Sequence, residues 1–327
     1  MKAWLMDDYT GIEKLRLAEA PDPVAQAGEA ILQVTYAALN PADRYLAERQ
    51  YPAKPALPHI LGRDGMGKIL QVGPGVTEPA GEKRILLRGE VGINRPGTFA
   101  QRAAVPADNL VEIPKGWSDQ EAAGAALVYL TAYQALTMWG SLPENAVILV
   151  TGASGGVGVA TVQLSHALGY TVICLSRSAE KSKRLQQIGA HVTLNPEDKE
   201  WRQALKKALA PRRVDLAVDN IGGKLLSEVI ETLGELGKVS LVGRLAGPVP
   251  EFNTAALFFR RLRLGGVTAG AYTASEARST WYKILELLAR TGARPLVDSV
   301  FAFNQLPKAF ERLAQGPMGK VLLETPA

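Results

Sequence analysis

The sequence contains few residues that bind soft metals, with one cysteine (Cys174) and three histidines (His59, His166 and His191) among 327 residues. A single cysteine excludes a disulfide framework and a cysteine-rich metal site, and is typical of a cytosolic protein. No run of about twenty apolar residues is present, so no membrane span is predicted. The N-terminal stretch also lacks the basic, apolar and cleavage regions of a signal peptide. We therefore predict a cytoplasmic protein with no membrane partner.

The positive charges do not form the pattern of a nucleic-acid surface. The net charge is +5, but Lys and Arg are scattered, and the only dense runs are short, at residues 181–184, 206–213 and 260–263. Such runs are typical of solvated helix faces, and no aromatic residues alternate with them. Nucleic acid is therefore not predicted as the main partner.

Residues 147–178 predict a strand, a glycine-rich turn, an amphipathic helix and a second strand. The turn carries Gly152, Gly155 and Gly158, and glycine allows a tight turn, a close approach to a pyrophosphate and helix packing against the sheet. The N–H groups at the start of the helix attract phosphate. This unit predicts a dinucleotide site; a tight turn that binds nothing is the alternative.

A chain of 327 residues is long enough for two domains. Residues 1 to about 120 show short strands separated by Pro and Gly, which predicts a β-rich domain. Ser118 and Glu121 form a capping box for one alanine-rich helix over residues 118–136. Strands then alternate with helices up to residue 242, which predicts a parallel sheet with helices on both faces. A long amphipathic helix is expected at residues 275–290.

Six segments in this order resemble the medium-chain dehydrogenase/reductase superfamily, and more narrowly its zinc-free quinone oxidoreductase branch. They are ALNPADRYLAERQYP (38–52), LGRDGMGKILQVGPGV (61–76), GTFAQRAAVP (97–106), LTAYQAL (130–136), GASGGVG (152–158) and GKVLL (319–323). The resemblance implies an α/β protein with a doubly wound Rossmann domain at residues 121–261. A β-rich GroES-like catalytic domain would comprise residues 1–120 and 262–327.

The resemblance also implies that the catalytic zinc is absent. Asn40 stands where the zinc-dependent relatives have a cysteine, and Arg63 stands where they have a histidine. No cysteine is available near residues 127–129, and the cysteine-rich structural zinc lobe is missing. Zinc requires three or four Cys, His or carboxylate ligands held together. No metal ligands are therefore predicted.

The second strand of the dinucleotide unit indicates NADPH as the cofactor. Proteins that prefer NAD carry a carboxylate about twenty residues after the glycines, where this chain has Ser176, Arg177 and Ser178. Arg177 and Lys181 are suited to a 2′-phosphate, and the alternative is that both lie at the surface beside a helix end without a ligand. The positions predicted, partly by resemblance, to contact the cofactor are Asn40, Thr131, Gly152, Ser154, Gly155, Gly156, Val157, Gly158, Ser176, Arg177, Ser178, Lys181, Asn220, Val242, Gly243, Arg244 and Lys320.

Without zinc to hold an alkoxide, the favoured acceptors are quinones or other α,β-unsaturated carbonyl compounds, in which added electrons delocalise. The catalytic candidates are Asn40, Tyr45, Tyr51 and Arg63. Tyr51 is favoured as the group that polarises the acceptor, with a packed structural tyrosine as the alternative. Arg63 could bind an acceptor oxygen or form an ion pair with Asp64 or Asp43.

The sequence therefore predicts an NADPH-dependent quinone oxidoreductase. Two alternatives remain: a 2-enoyl-thioester reductase acting on CoA or carrier-protein substrates, to which residues 260–263 could contribute a basic groove, and a non-catalytic NADPH-binding protein. The resemblance implies a homodimer formed through the edge of the Rossmann sheet at residues 261–268.

Overall fold

The computed structural model describes residues 1–87, 90–247 and 250–326. Contacts divide the chain into two compact units. The first comprises residues 1–127, 270–282 and the segment from residue 294 onward, and the second comprises residues 128–269 and 283–293. No helix among the described residues is long and apolar enough to cross a membrane.

The first unit is rich in β-structure, as predicted for both ends of the chain. Its strands are β1 (Lys2–Met6), β2 (Arg16–Glu19), β3 (Glu29–Ala38), β4 (His59–Ile60), β5 (Gly65–Val72), β6 (Lys83–Leu86), β7 (Arg102–Pro106), β8 (Leu110–Glu112), β15 (Val297–Ala302) and β16 (Lys320–Glu324). Its helices are α1 (Pro41–Ala47), α2 (Asp119–Ala123) and α10 (Leu306–Ala314). Among the described residues, the strand order is β2-β1-β4 in one sheet and β15-β16-β3-β5-β6-β8 in the other, with β7 also paired to β3.

Strand β3 lies near the centre of the larger sheet, and it combines β-branched and apolar residues, six of its ten residues being buried. It pairs antiparallel with β5, β7 and β16. Asn40 and α1 follow directly after its C-terminal end, and Arg63 and Asp64 directly precede the neighbouring strand β5. β16 begins at Lys320. This arrangement brings three distant parts of the sequence together at one end of the sheet.

The second unit contains the predicted parallel sheet. In the described residues its strand order is β11-β10-β9-β12-β13-β14, with every pair parallel. The strands are β9 (Val147–Val150), β10 (Thr171–Leu175), β11 (Val192–Leu194), β12 (Val214–Asp219), β13 (Leu233–Leu241) and β14 (Arg263–Gly266). The helices of this region are α3 (Ala126–Thr137), α4 (Gly156–Ala167), α5 (Ala179–Gln187), α6 (Trp201–Leu209), α7 (Gly223–Thr232) and α8 (Ala255–Phe259), and α9 (Ala274–Thr291) contributes residues to both units.

The domain boundaries differ from the prediction on both sides: residues 121–127 belong to the first unit, and residues 262–269 and 283–293 belong to the second. The prediction assigns residues 263–266 to the β-rich domain, whereas the structure pairs them with β13 as an edge strand of the parallel sheet. The sequence RLGG has little alternation and two glycines, so its pattern does not predict a strand. These residues form a strand because their backbone hydrogen-bonds to β13, and not because of their local strand propensity.

The single helix predicted over residues 118–136 is wrong, because the structure breaks it into α2 and α3 at Gly124 and Ala125. The capping box of Ser118 and Glu121 is present as predicted. A Cβ placed on Gly124 would lie 3.0 Å from both Cβ and Cγ of Lys320. The glycine therefore leaves room for the stem of the Lys320 side chain.

Candidate active site and cofactor site

The glycine-rich turn of the second unit has the close packing that its residues predict. It connects β9 to α4, and Gly152 has a positive φ of 56°, which glycine adopts readily. A Cβ on Gly158 would lie 2.3 Å from the carbonyl oxygen of Gly152. Gly155 is the N-cap of α4, followed by Gly156 and Val157 in its first turn. Ser154 is half-buried in the turn.

A buried polar network connects this turn to the loop after β12. The Thr151 hydroxyl donates to Asp219 Oδ1 at 2.6 Å and accepts the Asn220 N–H at 2.9 Å, and Asn220 Nδ2 donates to the Thr151 carbonyl at 2.8 Å. Asp219 also accepts the N–H of Gly222 at 2.9 Å. Burial raises the pKa of Asp219, and these hydrogen bonds oppose the rise. The network holds Asn220 beside the glycine turn.

The loop after β13 lies against the same residues. The N–H groups of Val242 and Gly243 donate to the Asp219 carbonyl at 2.9 and 3.2 Å. A Cβ on Gly243 would lie 2.6 Å from the Asn220 carbonyl oxygen, so the close approach requires glycine. Arg244 follows, half-buried. The structure thus brings the predicted residues after β9, β12 and β13 together at the carboxyl ends of these parallel strands.

The segment after β10 differs from its prediction in one respect. Arg177 is largely exposed, and its Nη1 lies 3.4 Å from Oε1 of Glu197, a residue of the loop after β11. The sequence showed no carboxylate before Glu180 in this segment, but the fold places one beside Arg177. Ser178 caps α5 by accepting the Lys181 N–H at 3.3 Å, and the Ser176 hydroxyl donates to the Ser178 carbonyl at 3.2 Å.

The first unit contains a buried cluster around Arg63. Its Nε lies 3.3 Å from Asp43 Oδ1, and its Nη2 donates to the Ala42 carbonyl at 3.3 Å. Nη1 donates to the Tyr51 hydroxyl at 3.3 Å, and the guanidinium carbon lies 4.8 Å from the centroid of the Tyr51 ring. Arg63 therefore pairs with Asp43, one of the two partners left open by the sequence.

Asp43 itself closes the start of α1. Its Oδ2 accepts the Asn40 N–H at 2.8 Å, which is the reciprocal bond of a capping box. The side chain is fully buried, and burial raises the pKa of Asp43 while the positive charge of Arg63 opposes the rise. The Asn40 backbone and the Arg63 guanidinium are thus held by one carboxylate.

The side chain of Lys320, one of the residues predicted to contact the cofactor, is buried in the first unit. Its ammonium donates to the Leu39 carbonyl at 3.0 Å, to Asn40 Oδ1 at 2.7 Å and to Asp64 Oδ2 at 3.1 Å. An ammonium has three N–H donors, and these three acceptors match that number. Lys320 therefore belongs to the first-unit cluster with Asn40.

Tyr45 and Thr131 are predicted site residues that lie on two different helices. Tyr45 is half-buried on α1. Thr131 is half-buried on α3, in the second unit. Two of the three arginines suggested for a CoA groove pair within the second unit: Arg260 donates to the Leu233 carbonyl at 2.8 Å, and Arg261 donates to Glu235.

Within residues 1–87, 90–247 and 250–326, no three His, Cys, Asp or Glu side chains form a group suited to a metal ion. Sequence reasoning missed Thr151, Asp219 and Glu197 as members of the site region. An Asp at the end of a buried strand is the signal that could have identified Asp219. No local signal indicates that Glu197 faces Arg177, because the two residues follow different strands.

Comparison with known proteins identifies relatives for both units. The family model described as "Alcohol dehydrogenase GroES-like domain" matches residues 26–115, and the one described as "Zinc-binding dehydrogenase" matches residues 156–290. A quinone oxidoreductase of Lama guanicoe is 27% identical over 326 residues, covering 99% of this chain and 97% of its own length.

Solved structures reproduce the fold of this chain. An NAD-dependent alcohol dehydrogenase is 26% identical with a TM-score of 0.89, covering 100% of both chains. A mycobacterial protein solved in complex with NADPH is 24% identical with a TM-score of 0.89, covering 99% of both chains. Because these neighbours are described with different nicotinamide cofactors, the shared fold does not distinguish NAD from NADP.

Proposed function

The chain belongs to the medium-chain dehydrogenase/reductase superfamily and is of its quinone-oxidoreductase type, and from this premise we propose that it is an NADPH-dependent, zinc-independent reductase of quinones or other α,β-unsaturated carbonyl compounds. The oxidoreductase class follows from the family. The cofactor, the metal independence and the acceptor are proposals that rest on this chain's own residues.

The second unit suits a dinucleotide phosphate. The turn at Gly152–Gly158 packs so closely that only glycine fits at residue 158, and α4 begins there with N–H groups that attract a pyrophosphate. Arg177 and the α5 N-terminus at Ser178 and Lys181 offer a positive charge and hydrogen-bond donors to a 2′-phosphate. We propose that these residues hold NADPH, which supplies hydride when bound.

The first-unit cluster does not suit zinc, although one matching family model is named for it. Zinc takes thiolate, imidazole and carboxylate ligands. Here the buried cluster contains an amide, two carboxylates and two cations, Arg63 and Lys320, each already paired with one of the carboxylates. A divalent cation placed among them would be repelled by both. We therefore propose that the reaction proceeds without a metal.

Tyr51 and Arg63 take the role of polarising the acceptor. Arg63 Nη1–H donates to the Tyr51 oxygen, so the phenolic proton remains available for another acceptor. Negative charge develops on the carbonyl oxygen of a quinone or enone as it is reduced, and a hydrogen bond from Tyr51 backed by the Arg63 charge stabilises it. The contact between Arg63 and Tyr51 is the single observation that carries the choice of acceptor.

The test is a titration of the purified protein with NADPH and NADH by fluorescence, followed by addition of 1,2-naphthoquinone or an enone. Tighter binding of NADPH and acceptor-dependent loss of nicotinamide absorbance are expected. Equal affinity for NADH contradicts the cofactor proposal. Binding without oxidation by any quinone or enone contradicts the proposed acceptor, and turnover of an enoyl-CoA in the same assay would redirect it to thioesters.

We further propose a cytosolic homodimer assembled through β14. The strand forms the edge of the parallel sheet in the described residues, and Phe258 and Phe259 of the preceding helix are exposed. An edge strand offers backbone donors and acceptors to a second copy. Light scattering of the full chain should give twice the monomer mass, and a monomeric mass at micromolar concentration contradicts the proposal.

A further inference from the structure

Lys320 is buried in a cage of oxygen atoms. Its side chain is 5% exposed, and the Asp64 side chain is fully buried. The ammonium nitrogen contacts three oxygens, from Leu39, Asn40 and Asp64, within 3.1 Å. Gly124 leaves the space for the aliphatic stem. The first unit thus encloses the positively charged ammonium group of Lys320.

Such an arrangement is a poor source of stability. Removing an ammonium and a carboxylate from water has a large desolvation cost that their attraction repays only in part. Burial raises the pKa of Asp64, and Lys320 opposes the rise. The pair is therefore better explained by what it orients than by the stability it provides.

The residue that it orients is Asn40. The two ends of an amide side chain have similar shapes and opposite hydrogen-bonding roles. Lys320 can only donate, so the end of Asn40 beside it must be the oxygen, and the Ala38 carbonyl can only accept, so the end at 3.1 Å from it must be the nitrogen. The Asn40 side chain thus has one orientation, set at both ends.

We infer that Lys320 is a positioning residue, whose ammonium, held by Asp64, fixes the orientation of the Asn40 amide. This inference rests on the proposed function only where activity is the readout. The inference also implies that, when the Lys320 side chain is removed, the oxygens around its ammonium still form a site that can bind a small cation.

A double-mutant cycle tests the coupling. Lys320→Met and Asn40→Ala should each lower kcat/KM by about tenfold or more, and the double variant should lose no more than about threefold beyond either single variant. Fully multiplicative losses overturn the inference. Lys83→Met is the matched control, since Lys83 forms an exposed pair with Asp119 in the same unit, and its activity should stay unchanged.

A second measurement does not use the reaction. Lys320→Ala should lower Tm by about 10 °C, and ammonium or methylammonium should restore part of that loss, whereas tetramethylammonium at equal ionic strength should not. Equal effects of the three cations overturn the inference.

If the single variants do not fold, Asp64→Asn/Lys320→Met removes both charges and replaces Lys320→Met in the cycle. An inactive wild type with intact methylammonium rescue would contradict the proposed function alone.

Discussion

Arg63 both stacks on Tyr51 and donates a hydrogen bond to it: the guanidinium carbon lies 4.8 Å from the ring centroid, and Nη1 lies 3.3 Å from the hydroxyl oxygen. The two contacts fix the ring and the lone pair that receives the bond. The O–H bond of Tyr51 can therefore point in only a restricted range of directions. A donor held in this way is suited to stabilising charge that develops on a bound acceptor.

Tyr51→Phe should lower kcat/KM for 1,2-naphthoquinone by about 10- to 100-fold, because the acceptor oxygen loses its donor. NADPH affinity, measured by fluorescence titration, should change little. Tyr282→Phe is the control, because Tyr282 is exposed. Unchanged turnover in Tyr51→Phe would show that the ring is only a packing residue.

Arg63→Met should destabilise the first unit by about 3–5 kcal/mol, since it leaves the carboxylate of Asp43 buried without its ionic partner. Arg63→Met/Asp43→Asn should recover much of this loss, because no buried charge remains. Urea denaturation measures both effects. Arg16→Met removes an exposed ion pair with Asp7 and should cost less than about 1 kcal/mol; an equal cost in the two arginine variants contradicts the buried-pair explanation.

Arg177→Gln should weaken NADPH binding by about tenfold and leave NADH binding unchanged, because only the 2′-phosphate requires the charge. Glu197→Gln should strengthen NADPH binding by about two- to fivefold, because the carboxylate competes for Arg177 and repels the phosphate. Titration with both nucleotides separates the effects. Arg202→Gln, which disrupts an exposed pair with Glu231 on the same unit, is the control. Parallel changes for NADH and NADPH would remove Arg177 from the 2′-phosphate site.

Gly158→Ala should destabilise the second unit by about 1–3 kcal/mol or more, because its Cβ would lie 2.3 Å from the Gly152 carbonyl oxygen. Gly155→Ala in the same turn is the matched control: its Cβ would meet nothing nearer than 3.5 Å, so the change should cost less than about 1 kcal/mol, from the preference for Gly over Ala at the N-cap of α4. Thermal and urea unfolding provide the comparison. Equal stabilities of the two variants contradict the packing explanation.

Burial lowers the pKa of His59 from 6.5 to about 4, with a smaller contribution from the charge of Arg63. The unfolded chain binds this proton near pH 6.5 and the folded chain does not bind it until about pH 4. The free energy of unfolding should therefore be retained above pH 6.5 and fall by up to about 3 kcal/mol as the pH drops towards 4.

The His59 contribution is isolated by measuring unfolding at pH 7 and pH 4.5. His59→Gln should show a smaller loss than the wild type. Identical losses in the wild type and His59→Gln would assign the pH dependence to other groups.

Much of the second unit was predictable because its signals are local. The strand, glycine turn, helix and strand from Val147 to Leu175 are read from apolar runs and glycine spacing, and the structure confirms each element. The strand Arg263–Gly266 and the break at Gly124 were not predictable, because a partner strand and the Lys320 stem cause them.

The candidate active site shows the same division. The resemblance to the family made Asn40, Tyr51 and Arg63 recognisable as candidates, and a chain with one cysteine could not supply a thiolate cluster. The tertiary structure decides the ion pairs, which are Arg63 with Asp43, Lys320 with Asp64 and Arg177 with Glu197. Residue type and spacing decide which chemistry a chain can carry, since they act within a few residues. Which charge faces which partner depends on strand order and burial, so only the tertiary structure decides it.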